Sequence, residues 1–291
     1  MKLPAALRFT SLFATGLALL SITVSAQEPL NFPAPSPTAK VAQTVGLTEV
    51  EIVYARPAMR GRKIFGALVP YDAIWRTGAN QSSKISFSGP VVFGGVEVPG
   101  GTYALYTVPG SSKWEVILSR NTELWGSYGY VPDQEVARIE AKPIKTAESV
   151  ESLTLSIDGV DADAATLNIA WERVRVSVPI SADTQPVLIP QIEAVMASDA
   201  EKKPYFAAAM YLYSKGVMLD QAAEWIGIAA AQQPDAFWLT YRQGLVLEAA
   251  GDKVGAIAAA EKSLAKAQTQ EGEIKAEYTR LNEQLLARLQ Q

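Results

Sequence analysis

The chain has 291 residues, with 26 Lys and Arg against 30 Asp and Glu for a formal charge of -4. It contains neither His nor Cys, which excludes a Ser-His-Asp triad, a cysteine nucleophile and a His-ligated zinc site, and leaves any catalysis to carboxylates, Lys, Tyr or an oxygen-held calcium or magnesium ion. A mildly acidic chain without a global basic field is not expected to bind nucleic acid.

Lys2 and Arg8 precede an apolar run from Phe9 to Val24, and Val24, Ser25 and Ala26 place small residues before Gln27. This pattern predicts a secretory signal peptide over residues 1–26, the run being shorter than the ~20 apolar residues a spanning helix needs. Without Cys there is no lipid-modified cysteine at the cleavage site. The mature chain is therefore expected to be exported, periplasmic or secreted, with no membrane span after cleavage. A proline-rich stretch, NFPAPSP, makes residues 27–39 an extended linker, and folding is expected to start near Lys40.

From there the apolar period is two. Val50, Ile52 and Tyr54 alternate with Glu49, Glu51 and Val53, and Ile85 and Phe87 alternate with Lys84, Ser86 and Ser88, as in half-buried strands. Between them residues 54–80 read YARPAMRGRKIFGALVPYDAIWRTGAN, with Arg56, Arg60, Arg62, Lys63 and Arg76 accompanied by a single carboxylate, Asp72. This segment is too polar and Gly/Pro-rich for a core strand and too apolar for a disordered loop.

Gly94-Gly95 and Pro99-Gly100-Gly101 punctuate the next β-rich runs at hairpin spacing. Further strands are predicted at Trp114, Val116 and Leu118, at residues 152–157 and 165–171, and at Val174, Val176, Val178 and Ile180. Around ten short strands with turn signals imply an antiparallel β-sandwich over residues 40–182.

After Thr184 the pattern turns alanine-rich with helical spacing, broken at Pro190, Pro204, Gly216, Pro234 and Gly251. Gly244, Gly251 and Ala256 fall where a tetratricopeptide repeat keeps small residues, and a degenerate copy lies upstream. The expected fold is thus α+β in two domains, the sandwich followed by tetratricopeptide-like helical hairpins over residues 186–291. Those helices either form a concave surface for a partner protein or merely pack as a bundle.

The words Arg56-Pro57, GRKIFGALVPY (61–71), WRTGAN (75–80), VPGGTYALYTVPG (98–110) and WGSYGY (125–130) resemble an exported bacterial family catalogued as domain of unknown function 2911, over about residues 40–182, and the helical tail also resembles what its members carry. With no established activity in the family, the resemblance implies the β-domain boundary and export, and no catalytic residue.

Three constellations carry chemistry. Arg56, Arg60, Arg62, Lys63 and Arg76, with Thr77 and Asn80 beside them, suit bidentate recognition of a carboxylate or phosphate; the structural alternative is that they pair with local carboxylates or cap carbonyls. Trp125 and Tyr128, with Tyr130 among the same glycines, suit stacking on a sugar, and Glu123 with Asp133 or Glu135 is the carboxylate pair available for glycan hydrolysis; the alternative is a packed aromatic loop. Asp158, Asp161 and Asp163 lack EF-hand spacing and read as a polar hairpin turn, so no metal and no cofactor are expected. The leading expectation is a non-enzymatic exported binding module for a small or extended anionic ligand, with a helical tail docking a partner. The rivals are a carboxylate-dependent envelope glycan hydrolase and a periplasmic scaffold. Convergence of the basic residues on one open cleft, with no carboxylate neutralising them, would favour the binding module; scattered or internally paired, they would count against it and make the helical surface the place to look.

Overall fold

The computed structural model describes residues 32–291, so the expected signal peptide lies outside the described residues. Alternation in Thr48–Ala55 buries Val50, Ile52 and Tyr54 on one side, and the strand pairs with its neighbours in a six-stranded antiparallel sheet. In sheet order these are β1 (Thr38–Val45), β2 (Thr48–Ala55), β3 (Ser83–Phe87), β6 (Gly101–Val108), β7 (Trp114–Ser119) and β8 (Glu135–Ala141). A four-stranded antiparallel sheet, β5 (Val96–Val98), β4 (Val91–Phe93), β10 (Ala164–Ser181) and β9 (Ile144–Asp158), covers its inner face. The shared core draws Leu105, Val116 and Leu118 from the first sheet and Phe93, Leu155 and Leu167 from the second.

Three strands differ from the sequence expectation. The stretches 165–171 and 174–180 are one 18-residue strand rather than two short ones. Before Glu172 the inward residues are Leu167, Ile169 and Trp171; after it they are Val176, Val178 and Ile180. Two register shifts against β9 flank Glu172, which sits at φ 57°, and the pleat changes phase there, so both apolar sets face the same core. Strands β1 and β8 had no sequence forecast. They lie at the sheet's edges, where β1 buries only Val45, and their weak alternation reflects that exposure.

The long β2–β3 connection closes one end of the sandwich. Ile64, Phe65 and Val69 are buried in the main core, with Phe65 edge-on to Trp114 at 4.9 Å between centroids. Burial at this level is worth about 1.5–3 kcal/mol per large side chain, which holds down an otherwise polar segment. Trp75 stacks on Trp171 and bridges Thr107 of β6 through both backbone hydrogen bonds.

Six helices follow: α1 (Gln185–Ala197), α2 (Tyr205–Lys215), α3 (Leu219–Gln232), α4 (Phe237–Ala249), α5 (Lys253–Ala267) and α6 (Gly272–Leu289). Pairs α2/α3 and α4/α5 are hairpins, as the small-residue pattern predicts. A Cβ on Gly244 would stand 3.1 Å from Leu285 and 3.4 Å from the Ala256 carbonyl, which explains the small residue where α4 meets α5 and α6. Asp252 caps α5 by accepting from the Gly255 N–H at 2.8 Å. Pro190 does not break the chain; it lies inside α1 on an exposed face, where water can satisfy the carbonyl its missing N–H leaves free. The helices form cores of their own, around Leu212 and Trp225 and around Tyr241 and Leu285. They meet the β domain where Lys215 pairs with Asp163 and Thr184 bonds the Tyr211 hydroxyl at 2.8 Å. No helix of the described residues is long and apolar enough to cross a membrane.

Candidate functional site

The basic residues do not converge. Arg56, at the end of β2, donates from Nε to the Leu153 carbonyl at 3.1 Å and from Nη2 to Thr154 Oγ1 at 2.9 Å, bonding the long connection to β9. Arg60 donates to the Pro35 carbonyl at 3.1 Å while its backbone N–H bonds Glu151. Arg62 caps the Met59 and Ala58 carbonyls at 2.9 and 2.7 Å. Lys63 is exposed on the same segment. None of these four lines the groove that Asn80 and Trp125 share. The arginines are occupied as carbonyl caps because the irregular connection leaves backbone acceptors that no strand satisfies.

The second half of the connection behaves differently. Thr77 is fully buried at φ 51°, a sterically disfavoured conformation for a β-branched residue. Its hydroxyl bonds Thr107 Oγ1 at 3.1 Å and its carbonyl accepts from Ser83 Oγ at 2.8 Å. Thr77 therefore holds the turn from below and its side chain does not enter the groove. Asn80 follows, also left-handed at φ 62° and exposed. Strain of this kind persists only where surrounding contacts impose it, and here it turns residues 79–82 toward the aromatic loop.

That loop meets it directly. Gln81 and Trp125 form an isolated antiparallel bridge, and the Ser82 N–H donates to the Leu124 carbonyl at 3.3 Å. Beneath the loop, Leu124, Tyr130 and Ile74 pack on Ala104, Tyr106 and Ile117 of the sheet's outer face, and the Tyr106 hydroxyl donates to the Gly126 carbonyl at 3.3 Å. Arg76 runs close by, its Nη1 lying 3.5 Å from where a Cβ on Gly126 would sit. A packed underside thus leaves Trp125 63% and Tyr128 83% exposed.

The result is a groove of about 350 Å³ lined by Thr38, Val53–Ala55, Ala79–Ser82, Lys84 and Trp125. No carboxylate is among its lining residues. Its one cation, Lys84, has Nζ 3.5 Å from Glu123 Oε1. Two buried polar atoms of the segment lack a partner, Arg76 Nε and Ser82 Oγ, an arrangement that native interiors seldom keep without reason. Gln81, Ser82 and Lys84 were missing from the sequence-derived site. Their only signal was adjacency to WRTGAN at the start of a strand.

The carboxylates are unlike an acid–base pair. A bond from Thr122, then the charge of Lys84, hold the Glu123 carboxyl below its usual range. Glu135 is likewise lowered, chiefly by the two-point pairing with Arg138, at 2.9 and 2.5 Å, and further by the Tyr130 hydroxyl. Burial, then the bond to Glu135, push the Tyr130 phenol up. Glycoside hydrolysis needs one carboxyl raised enough to donate a proton near neutral pH, and both glutamates are held in the opposite sense. Asp133 lies exposed in the short 3-10 turn before β8.

On the β9–β10 turn, Asp158 accepts from Ser156 and Asn168 at 2.6 and 2.8 Å, Asp161 from the Ala162 N–H, and Asp163 pairs with Lys215. Among the described residues no three such groups gather as a metal site.

Residues 36–180 match the family model described as Protein of unknown function (DUF2911). No curated protein and no solved structure matches the chain.

Proposed function

We propose, from the premise that the chain belongs to the DUF2911 family through residues 36–180, that it is an exported, non-enzymatic binding module whose β domain takes a small or extended anionic ligand. The observation that carries this reading is the groove between residues 79–84 and Trp125. It is concave, presents amide, hydroxyl and ammonium groups against an exposed indole, and has no carboxylate in its lining. That is the composition of a small-molecule site, mostly apolar walls with a few convergent polar groups. The dispersal of Arg56, Arg60, Arg62 and Lys63 counts against a site built on them, and the ligand site in this reading rests instead on Asn80, Gln81, Lys84 and Trp125.

A screen of small carboxylates and phosphates by thermal shift tests it, since a ligand that binds only the native state raises the melting temperature. A shift present in the wild type and in Arg62→Ala but absent in Asn80→Ala/Trp125→Ala supports the groove. A shift lost in Arg62→Ala and kept in the groove variant returns the site to the arginine segment. No shift with any anion ends the anionic reading. Export is tested by sequencing the mature N-terminus, expected at Gln27.

The helical tail is assigned the docking of a partner protein. What supports this is α1, which buries no residue and leaves Val187 and Val195 exposed.

A further inference from the structure

The groove's chemistry narrows the ligand class, an inference that rests on the binding reading above. We propose that the ligand is an acidic saccharide, with a sugar ring laid against Trp125, its hydroxyls read by Asn80 and Gln81, and its carboxylate facing Lys84.

The wall comes first. Trp125 is 63% exposed although its loop is pinned underneath by the Tyr106 bond to Gly126 and by the bridge to Gln81. A large rigid aromatic held open at a groove's edge offers contact area at little conformational cost. Its flat face suits the C–H face of a pyranose ring.

Two amides, Asn80 and Gln81, line the groove with Trp125. Asn and Gln amides each offer donors and an acceptor, which matches sugar hydroxyls that both give and accept. A phosphate ligand would call for several cations or a nest of backbone N–H groups, and the groove's lining holds one ammonium. That ammonium is only loosely engaged, 3.5 Å from a Glu123 carboxylate whose side chain is 81% exposed. Such a pair is weak in water, so an incoming carboxylate can take Glu123's place. Arg76, with Nε buried and unpartnered, adds positive potential from beneath the loop. The size agrees: about 350 Å³ is near the small end of ligand pockets, which run from about 300 to 1,000 Å³.

The test uses the mature full chain and isothermal titration with three kinds of probe: a galacturonate disaccharide and trisaccharide, the corresponding neutral galactose oligomers, and a peptide of similar size with a free C-terminal carboxylate. The expected result is binding of the acidic sugars, weakened about tenfold or more in Trp125→Ala, an effect of the size of one good contact. Trp125→Phe should keep most of the affinity, which separates stacking from a folding defect. Lys84→Met should weaken the acidic sugars and leave any neutral-sugar affinity unchanged. Neutral sugars binding as tightly as acidic ones overturns the acidic assignment. A peptide that binds in a Trp125-dependent way while the sugars do not overturns the saccharide class and leaves the groove standing. Sugar binding unaffected by Trp125→Ala, or no binding by any probe, overturns both.

Discussion

Gln81 and Trp125 face each other across an isolated antiparallel bridge, which makes one wall of the groove from the β2–β3 connection and the other from the loop after β7. Two family words far apart in the chain thus become one surface, and the geometry of that surface depends on how firmly each half is anchored.

The anchor and the rim should separate in stability. Phe65→Ala removes a side chain that is 3% exposed and packed on Trp114, and should cost about 3–5 kcal/mol. Trp125→Ala, at the exposed rim, should change stability by no more than about 0.5 kcal/mol. Urea midpoints at constant m-value check both.

Arg56 is a structural residue and should show it. Its guanidinium bonds the Leu153 carbonyl and the Thr154 hydroxyl, so Arg56→Ala should lower stability by about 1.5–3 kcal/mol, the range for bonds from a charged group. Groove ligands should bind the variant as they bind the wild type. A large loss of affinity at unchanged stability would return Arg56 to the site.

Acid should act through Glu135. Its carboxyl is lowered by Arg138 and by Tyr130, so the folded state binds that proton less readily than the unfolded chain. The stabilisation is therefore complete above the unfolded carboxyl pKa of about 4.3 and is lost as pH falls through the lower folded value. Glu135→Gln should be less stable than wild type at pH 7 and should lose less on acidification from pH 5 to pH 2. Parallel urea titrations across that range, giving equal acid losses for both proteins, would rule the pairing out as a source.

The β domain should fold without the helices. Its core is built from residues between Val45 and Ala182, and the helical cores are separate. Deleting residues 186–291 removes the Lys215 to Asp163 pair and the Tyr211 bond to Thr184, a loss of about 1–3 kcal/mol. Near-UV circular dichroism should keep the signal of Trp75, Trp114 and Trp171, with a smaller m-value for the shorter chain.

Much of the fold was legible because it is local. Alternation at Val50, Ile52 and Tyr54 follows from a pleat of period two, and the small residues Gly244 and Ala256 mark where helices approach. The phase slip between Trp171 and Val176 was also visible, but read as a break, because a bulge and a loop look alike in a one-dimensional pattern. Trp125, Tyr128, Asn80 and the chemistry at each were legible as residue types; their meeting was not, nor was the part played by Gln81, Ser82 and Lys84.

By itself the sequence determined the chemistry that is excluded, since a chain without His or Cys keeps that limit in any fold, and it determined the division into strands and helices, since periodicity is set by neighbours a few residues apart. Only the tertiary structure decided which cations are occupied. Arg56 finds its acceptors on Leu153 and Thr154, and Asn80 finds its groove beside Trp125. Such pairings depend on which strands lie side by side, and that choice rests on the whole buried core rather than on any local stretch of chain.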